Sequence, residues 1–61
     1  MIYSASELQA CAAREAKMRQ RVYPKLVETG RMTQKNADLE ISKMEAIAAH
    51  FAAMVEGEKL L

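Results

Sequence analysis

Four cations, Arg14, Lys17, Arg21 and Lys25, recur at steps of three and four residues. On a helix that spacing gathers them on one face. Such a row can hold the phosphates of a nucleic acid or the carboxylates of an acidic protein groove. The competing reading is a solvated face, partly neutralised by Asp38, Glu40 and Glu45 from the second half of the chain. A formal net charge of only +1 favours that reading, and it favours a protein over a nucleic acid as ligand, because nucleic-acid binders are usually strongly basic. A second group is Tyr23, Arg31 and Met32, which bracket the Gly30 turn. Tyrosine and arginine are enriched in binding hot spots, and methionine adapts to irregular surfaces. The plainer role is structural, with Tyr23 packed over the turn and Arg31 holding the last carbonyls of the preceding helix.

Bond-making chemistry finds little support. Cys11 is the only cysteine and His50 the only histidine, so a structural zinc site, which takes four ligands, is not expected. Cys11 has no adjacent basic residue to lower its pKa; it reads as a small core residue, with a contact or disulfide between chains as the lesser alternative. His50 has Glu45 five residues away and no serine or carboxylate at a catalytic spacing, so it reads as a surface or interface residue. There is no glycine-rich phosphate loop, no acid–base carboxylate pair and no nucleophile triad. The sequence implies a protein that is not an enzyme, with no catalytic residues, no metal and no cofactor.

Two helices must position these side chains. Ser4-Ala5-Ser6-Glu7 fits a capping box, which starts the first helix at about Ala5, with Ser6 as the alternative cap. Leu8, Cys11, Met18 and Val22 line its apparent apolar seam, with Ala12 beside it. Glu15 interrupts that seam; it belongs at the edge, or paired with Arg19 four residues on, in the favourable order. Tyr23-Pro24 is the one break. Either the helix passes through a kink to Glu28, or it splits there with Pro24 opening a short new helix. The kinked helix is favoured because Val22, Leu26 and Val27 keep a helical period. Gly30 suits a left-handed helix end and Thr33 a cap for the next helix.

From Thr33 to Val55, Ala37, Ile41, Met44, Ala48, Phe51 and Val55 alternate at spacings of four and three, the seam of an amphipathic helix. It should run from about Gln34 to Val55 or Glu56 and loosen at Gly57. The predicted fold is all-α: one domain over 1–61, an antiparallel two-helix hairpin of about 5–28 and 34–56. Residues whose numbers add to roughly 63 should then face each other: Val22 with Ile41, Met18 with Met44, Cys11 with Phe51, Leu8 with Val55.

So small a chain buries a limited fraction of its surface and usually needs a staple or a partner. No intrachain disulfide is possible, which leaves oligomerisation. Ile47, Met54, Phe51 and Leu39 are the expected dimer interface, because one partner helix cannot cover them all. The expected product is a homodimer in the form of a four-helix bundle. Residues 1–31 carry +3 and residues 32–61 carry −2, a distribution suited to mutually attractive helices. No apolar run approaches the length of about 20 residues that spans a bilayer, and no basic-then-apolar leader is visible. No membrane partner is expected, and the cytoplasm is the default compartment.

Between Arg14 and Ile47 the sequence resembles short reading frames of bacterial prophages and temperate phages that have no assigned activity. The matching residues are Arg14-Glu15, Met18-Arg19, Arg21-Val22-Tyr23-Pro24, Val27, Gly30-Arg31-Met32-Thr33, Ala37, Glu40-Ile41 and Met44-Glu45-Ala46-Ile47. The resemblance implies a phage-encoded accessory protein in the cytoplasm of a bacterial host, and it supplies no catalytic residue. In that context the expected function is an interaction protein that binds and inhibits a host protein through Tyr23, Arg31 and Met32 and the cations of the first helix. A nucleic-acid-binding accessory protein using Arg14, Lys17, Arg21 and Lys25 is the alternative, and a structural subunit of a phage assembly is the third reading.

Overall fold

The computed structural model describes residues 2–59 and contains two helices, α1 (Ala5–Glu28) and α2 (Gln34–Lys59), packed along their length as an antiparallel hairpin. The start of α1 follows from Ser4, whose extended backbone precedes the helix and whose hydroxyl accepts the Glu7 N–H at 3.1 Å. The second half of the expected capping box takes a different form: the Ser4 hydroxyl donates to the Glu7 carboxylate at 3.3 Å. α1 is continuous through Pro24, as the periodicity favoured. Proline has no N–H for the carbonyl of Gln20, but both residues are exposed, so water can serve that oxygen.

The turn is a glycine-terminated helix end of the Schellman type. Gly30 adopts φ +76°, its N–H donates to Val27 O at 3.1 Å, and the Arg31 N–H donates to Leu26 O at 2.9 Å. The Thr29 hydroxyl donates to Lys25 O at 3.0 Å. Arg31 therefore does bind a late carbonyl of α1, through its backbone. Thr33 opens α2 by accepting the Asn36 N–H at 3.1 Å. A methyl group at Gly30 would meet no neighbour, so Gly30→Ala isolates the backbone term. It should destabilise the protein by about 1 kcal/mol, the cost of a left-handed alanine, as measured by urea unfolding. No loss would mean that the turn relaxes to another conformation.

α2 ends later than predicted, at Lys59 rather than at Val55 or Glu56. A glycine inside a helix costs only about 1 kcal/mol relative to alanine, and beyond it Lys59 pairs with Glu56 at 3.3 Å near the negative end of the helix dipole. The tail expected after Gly57 is thus helical as far as Lys59, and Leu60 and Leu61 lie outside the described residues.

The contact between the helices departs from expectation on one side only. On α2 the predicted seam holds: Ala37 is buried, and Ile41, Met44, Ala48, Phe51 and Val55 are all half-buried. On α1 the seam is rotated. Ala5, Ala12 and Ala16 are buried, and Leu8, Glu15, Arg19, Tyr23 and Leu26 are half-buried, whereas Cys11, Met18 and Val22 are exposed. The expected pairings of Cys11 with Phe51, Met18 with Met44 and Val22 with Ile41 are therefore not formed as core contacts. Each of those three residues precedes a seam residue by one position, about 100° around the helix. The physical reason is size. Alanines let two helix axes approach closely, and the longer side chains are left beside the seam. Among the described residues the only buried side chains are the four alanines Ala5, Ala12, Ala16 and Ala37.

Candidate interaction surfaces

Where the large apolar side chains lie follows from the rotated seam. Cys11, Met18 and Val22 stand one position before Ala12, Arg19 and Tyr23 on α1. Ile47 and Met54 stand one position before Ala48 and Val55 on α2. The helices run in opposite directions and the offset has the same sense in both, so the two rows fall on the same broad side of the hairpin. Met18, Val22, Ile47 and Met54 are 36–45% exposed there. The positions that follow the seam residues form the other broad side: Ala13, Gln20, Asp38, Ser42, Glu45, Ala49 and Glu56. The large apolar residue on that side is Val27, which follows Leu26 and is half-buried. The large exposed apolar residues of the contact region thus gather on one face, where Glu40, Lys43 and His50 interrupt the α2 row, and the other face is mostly polar.

An ionic network sits at the edge of the apolar face, between the helices. Arg19 Nε donates to the Glu15 carboxylate at 3.1 Å, the pair anticipated from their spacing. Arg19 Nη1 crosses to α2 and donates to the backbone carbonyl of Glu40 at 3.0 Å, with the Glu40 carboxylate at 3.6 Å. Its guanidinium carbon lies 5.9 Å from the centre of the Tyr23 ring. Lys43 approaches the same Glu40 at 3.5 Å. The hydrogen bond to Glu15, foremost, raises the Arg19 pKa, with smaller contributions from the nearby Tyr23 and Glu40. Arg19 therefore stays charged throughout the physiological range. Its role as the cross-helix tie escaped the sequence reading, which paired it only within α1.

The predicted site residues separate into three places. Arg14, Lys17, Arg21 and Lys25 are all exposed on the side of α1 that faces away from α2. Among the described residues none of the four takes part in an ion pair, so the anticipated neutralisation by Asp38, Glu40 and Glu45 is not made. Instead Arg19 and Lys43 occupy Glu40, and Asp38 accepts from Gln34 at 2.8 Å. Near the turn, Arg31 is exposed, whereas Tyr23 and Met32 are half-buried. Tyr23 is thus largely a packing residue under Arg19, and Arg31 is the freest of that group.

Of the expected dimer-interface residues, Ile47 and Met54 lie on the apolar face. Phe51 is half-buried in the seam, with the His50 ring edge-on at 5.3 Å. Leu39 is 45% exposed, but its position places it on the back of α2, about 160° from the seam.

Cys11 is exposed, which corrects its reading as a core residue. It borders a shallow, open depression of about 420 Å³ lined by Tyr3, Glu7, Leu8, Ala10, Cys11 and Arg14. Among the described residues there is no group of three side chains able to hold a metal ion, and no helix is long and apolar enough to cross a membrane. The chain matches no family model, no curated protein and no solved structure.

Proposed function

We propose that the protein is a non-enzymatic interaction module, which pairs with a second copy through its apolar face and presents its turn and the cations of α1 to a host protein. The observation that carries the proposal is the separation of core from bulk. Among the described residues the hairpin buries only alanines, while Met18, Val22, Ile47 and Met54 share one exposed face. Its surface area supports the same reading. The chain exposes 4778 Å², whereas a compact monomer of its 6.8 kDa exposes about 4,000 Å². The excess of about 800 Å² goes with the elongated shape of the hairpin, 48 × 17 × 17 Å, which leaves both broad faces without a second layer.

Face-to-face pairing gives a four-helix bundle with coiled-coil spacing along each seam. In that bundle Ile47, Met54, Met18 and Val22 form the shared layer. Phe51 remains within each hairpin, and Leu39 stays outside. The backs of both α1 helices also remain outside, with Arg14, Lys17, Arg21 and Lys25 unpaired. The resemblance to phage reading frames makes a protein of the bacterial cytoplasm the partner, and inhibition the effect.

Arg31 and Lys25 are the residues with which to test this, since Tyr23→Ala would also disturb Arg19. The immobilised protein is expected to retain a bacterial protein that the Arg31→Ala, Lys25→Ala variant releases, with helicity unchanged by circular dichroism. Equal retention by both would reject the turn end as the contact. The unpaired cations also support a nucleic-acid reading. That reading predicts DNA or RNA binding that weakens steeply with salt and is lost in Arg14→Glu, Arg21→Glu.

A further inference from the structure

We infer that the outer side of α1 docks an acidic helix of another protein, whose carboxylates lie along Arg14, Lys17, Arg21 and Lys25 and whose apolar end enters the depression beside Arg14. This rests on the reading that the cations of α1 face a protein, and it adds the chemistry of that partner.

The spacing of the row suits a second helix. At the helical rise per residue its steps are about 4.5, 6 and 6 Å, and it spans about 16 Å. Carboxylates three and four residues apart on a partner helix repeat those intervals. Like charges at such steps destabilise the helix that carries them, and among the described residues no ion pair neutralises any of the four. A partner's carboxylates relieve that repulsion.

Carboxylates close the row at both ends. Glu7 stands seven residues before Arg14 and Glu28 seven after Arg21, two turns away on the same side of α1, and both are exposed. Glu7 has a local use, since its carboxylate accepts from the Ser4 hydroxyl at 3.3 Å. Glu28 is the last residue of α1, where the helix dipole disfavours a negative charge. A nucleic acid or an anionic bilayer extends past the row in both directions and would bring phosphates against these two residues. A short acidic helix fits between them.

Exposed ion pairs contribute little affinity by themselves, so such a complex needs an apolar anchor. Ala10 and Cys11 lie one turn before Arg14. Their small side chains leave the space of about 420 Å³ that Tyr3, Glu7, Leu8 and Arg14 also border. Ala10 shares the side of α1 that carries the row, so pairing through Met18, Val22, Ile47 and Met54 leaves it outside.

The probe is a dye-labelled, alanine-based helical peptide with four glutamates at steps of three, four and four residues. A leucine one turn beyond each end serves either direction of docking. Fluorescence anisotropy at low salt should show binding that weakens at least about tenfold in Lys17→Glu, Arg21→Glu, with helicity unchanged. Replacing both leucines of the peptide by alanine should cost at least about fivefold. Ala10→Leu, which fills the depression, should make the two peptides bind alike.

Equal binding of both peptides to the wild type would remove the depression from the site and overturn the inference. Tighter binding of a DNA duplex or of phosphatidylglycerol vesicles than of the leucine-bearing peptide would overturn it too. If neither peptide binds, yet the immobilised protein still retains a bacterial protein that Arg31→Ala, Lys25→Ala releases, the inference falls and the function proposed above stands. Failure of both measurements overturns both.

Discussion

Ile47→Asp is expected to turn the proposed dimer into a monomer, raising the dissociation constant by a factor of at least about 100. Burying an isoleucine side chain is worth about 1.5–3 kcal/mol, and a twofold interface buries the residue twice. Because Ile47 is already more than half covered within the hairpin, at 45% exposed, the loss from the two copies is about 1.5–3 kcal/mol; desolvating two new carboxylates adds to it, and each 1.4 kcal/mol is a factor of about ten. Sedimentation equilibrium across a concentration series measures the shift.

Leu39→Asp is the control, because Leu39 and Ile47 are equally exposed, at 45% each, and differ in the side of α2 they occupy. Leu39→Asp should change the constant by less than about tenfold, as is usual for a substitution outside a packed region. Equal dissociation by both variants would mean that the apolar face is not the interface. Because so little of the hairpin core is large and apolar, the Ile47 variant should also lose helicity as it dissociates. Folding and association are then linked, and the melting temperature should rise with protein concentration in the wild type.

Ala12→Leu should lower the melting temperature by about 5–20 °C at fixed protein concentration. Ala12 is only 5% exposed and sits where α1 meets α2. Leucine is nearly as good a helix former as alanine, so the substitution changes packing and little else. Overpacking a tight contact costs about 1–3 kcal/mol, and in a domain this small each kcal/mol moves the melting temperature by about 4–8 °C. Ala53→Leu makes the same chemical change at an exposed position of α2 and should have little effect. A tolerant Ala12 position, with no fall in melting temperature, would mean that the helices are not held at alanine spacing. The intended result would also show that the side chains beside the seam, Met18 and Val22, cannot substitute for it as core.

The helices themselves were legible in the sequence because their signals are local. Ser4, Gly30 and Thr33 act through hydrogen bonds and dihedral preferences within a few residues, so α1 was placed at its observed bounds and the start of α2 was placed correctly. Only the end of α2 was missed, since a single glycine is a weak stop. The α2 seam was legible too, because its large apolar residues coincide with the positions that face α1. On α1 the same logic failed. Cys11, Met18 and Val22 have larger apolar side chains than alanine, yet Ala5, Ala12, Ala16, Tyr23 and Leu26 keep the spacing that meets α2. The alanines at positions 12 and 16, in step with Leu26 and Ala5, were the signal that could have identified the contact.

Local chemistry by itself thus determined two helices, a tight turn, an antiparallel hairpin and a row of four cations on one face of α1. Which side of α1 meets α2 was decided only in the tertiary structure, because close approach of two helices rewards small side chains at the contact, and that term depends on both partners at once. The same term left Met18 and Val22 beside Ile47 and Met54 on one face and brought Arg19 across to Glu40. A broad apolar surface emerged from two residues that look like core along α1 and two that flank the seam of α2.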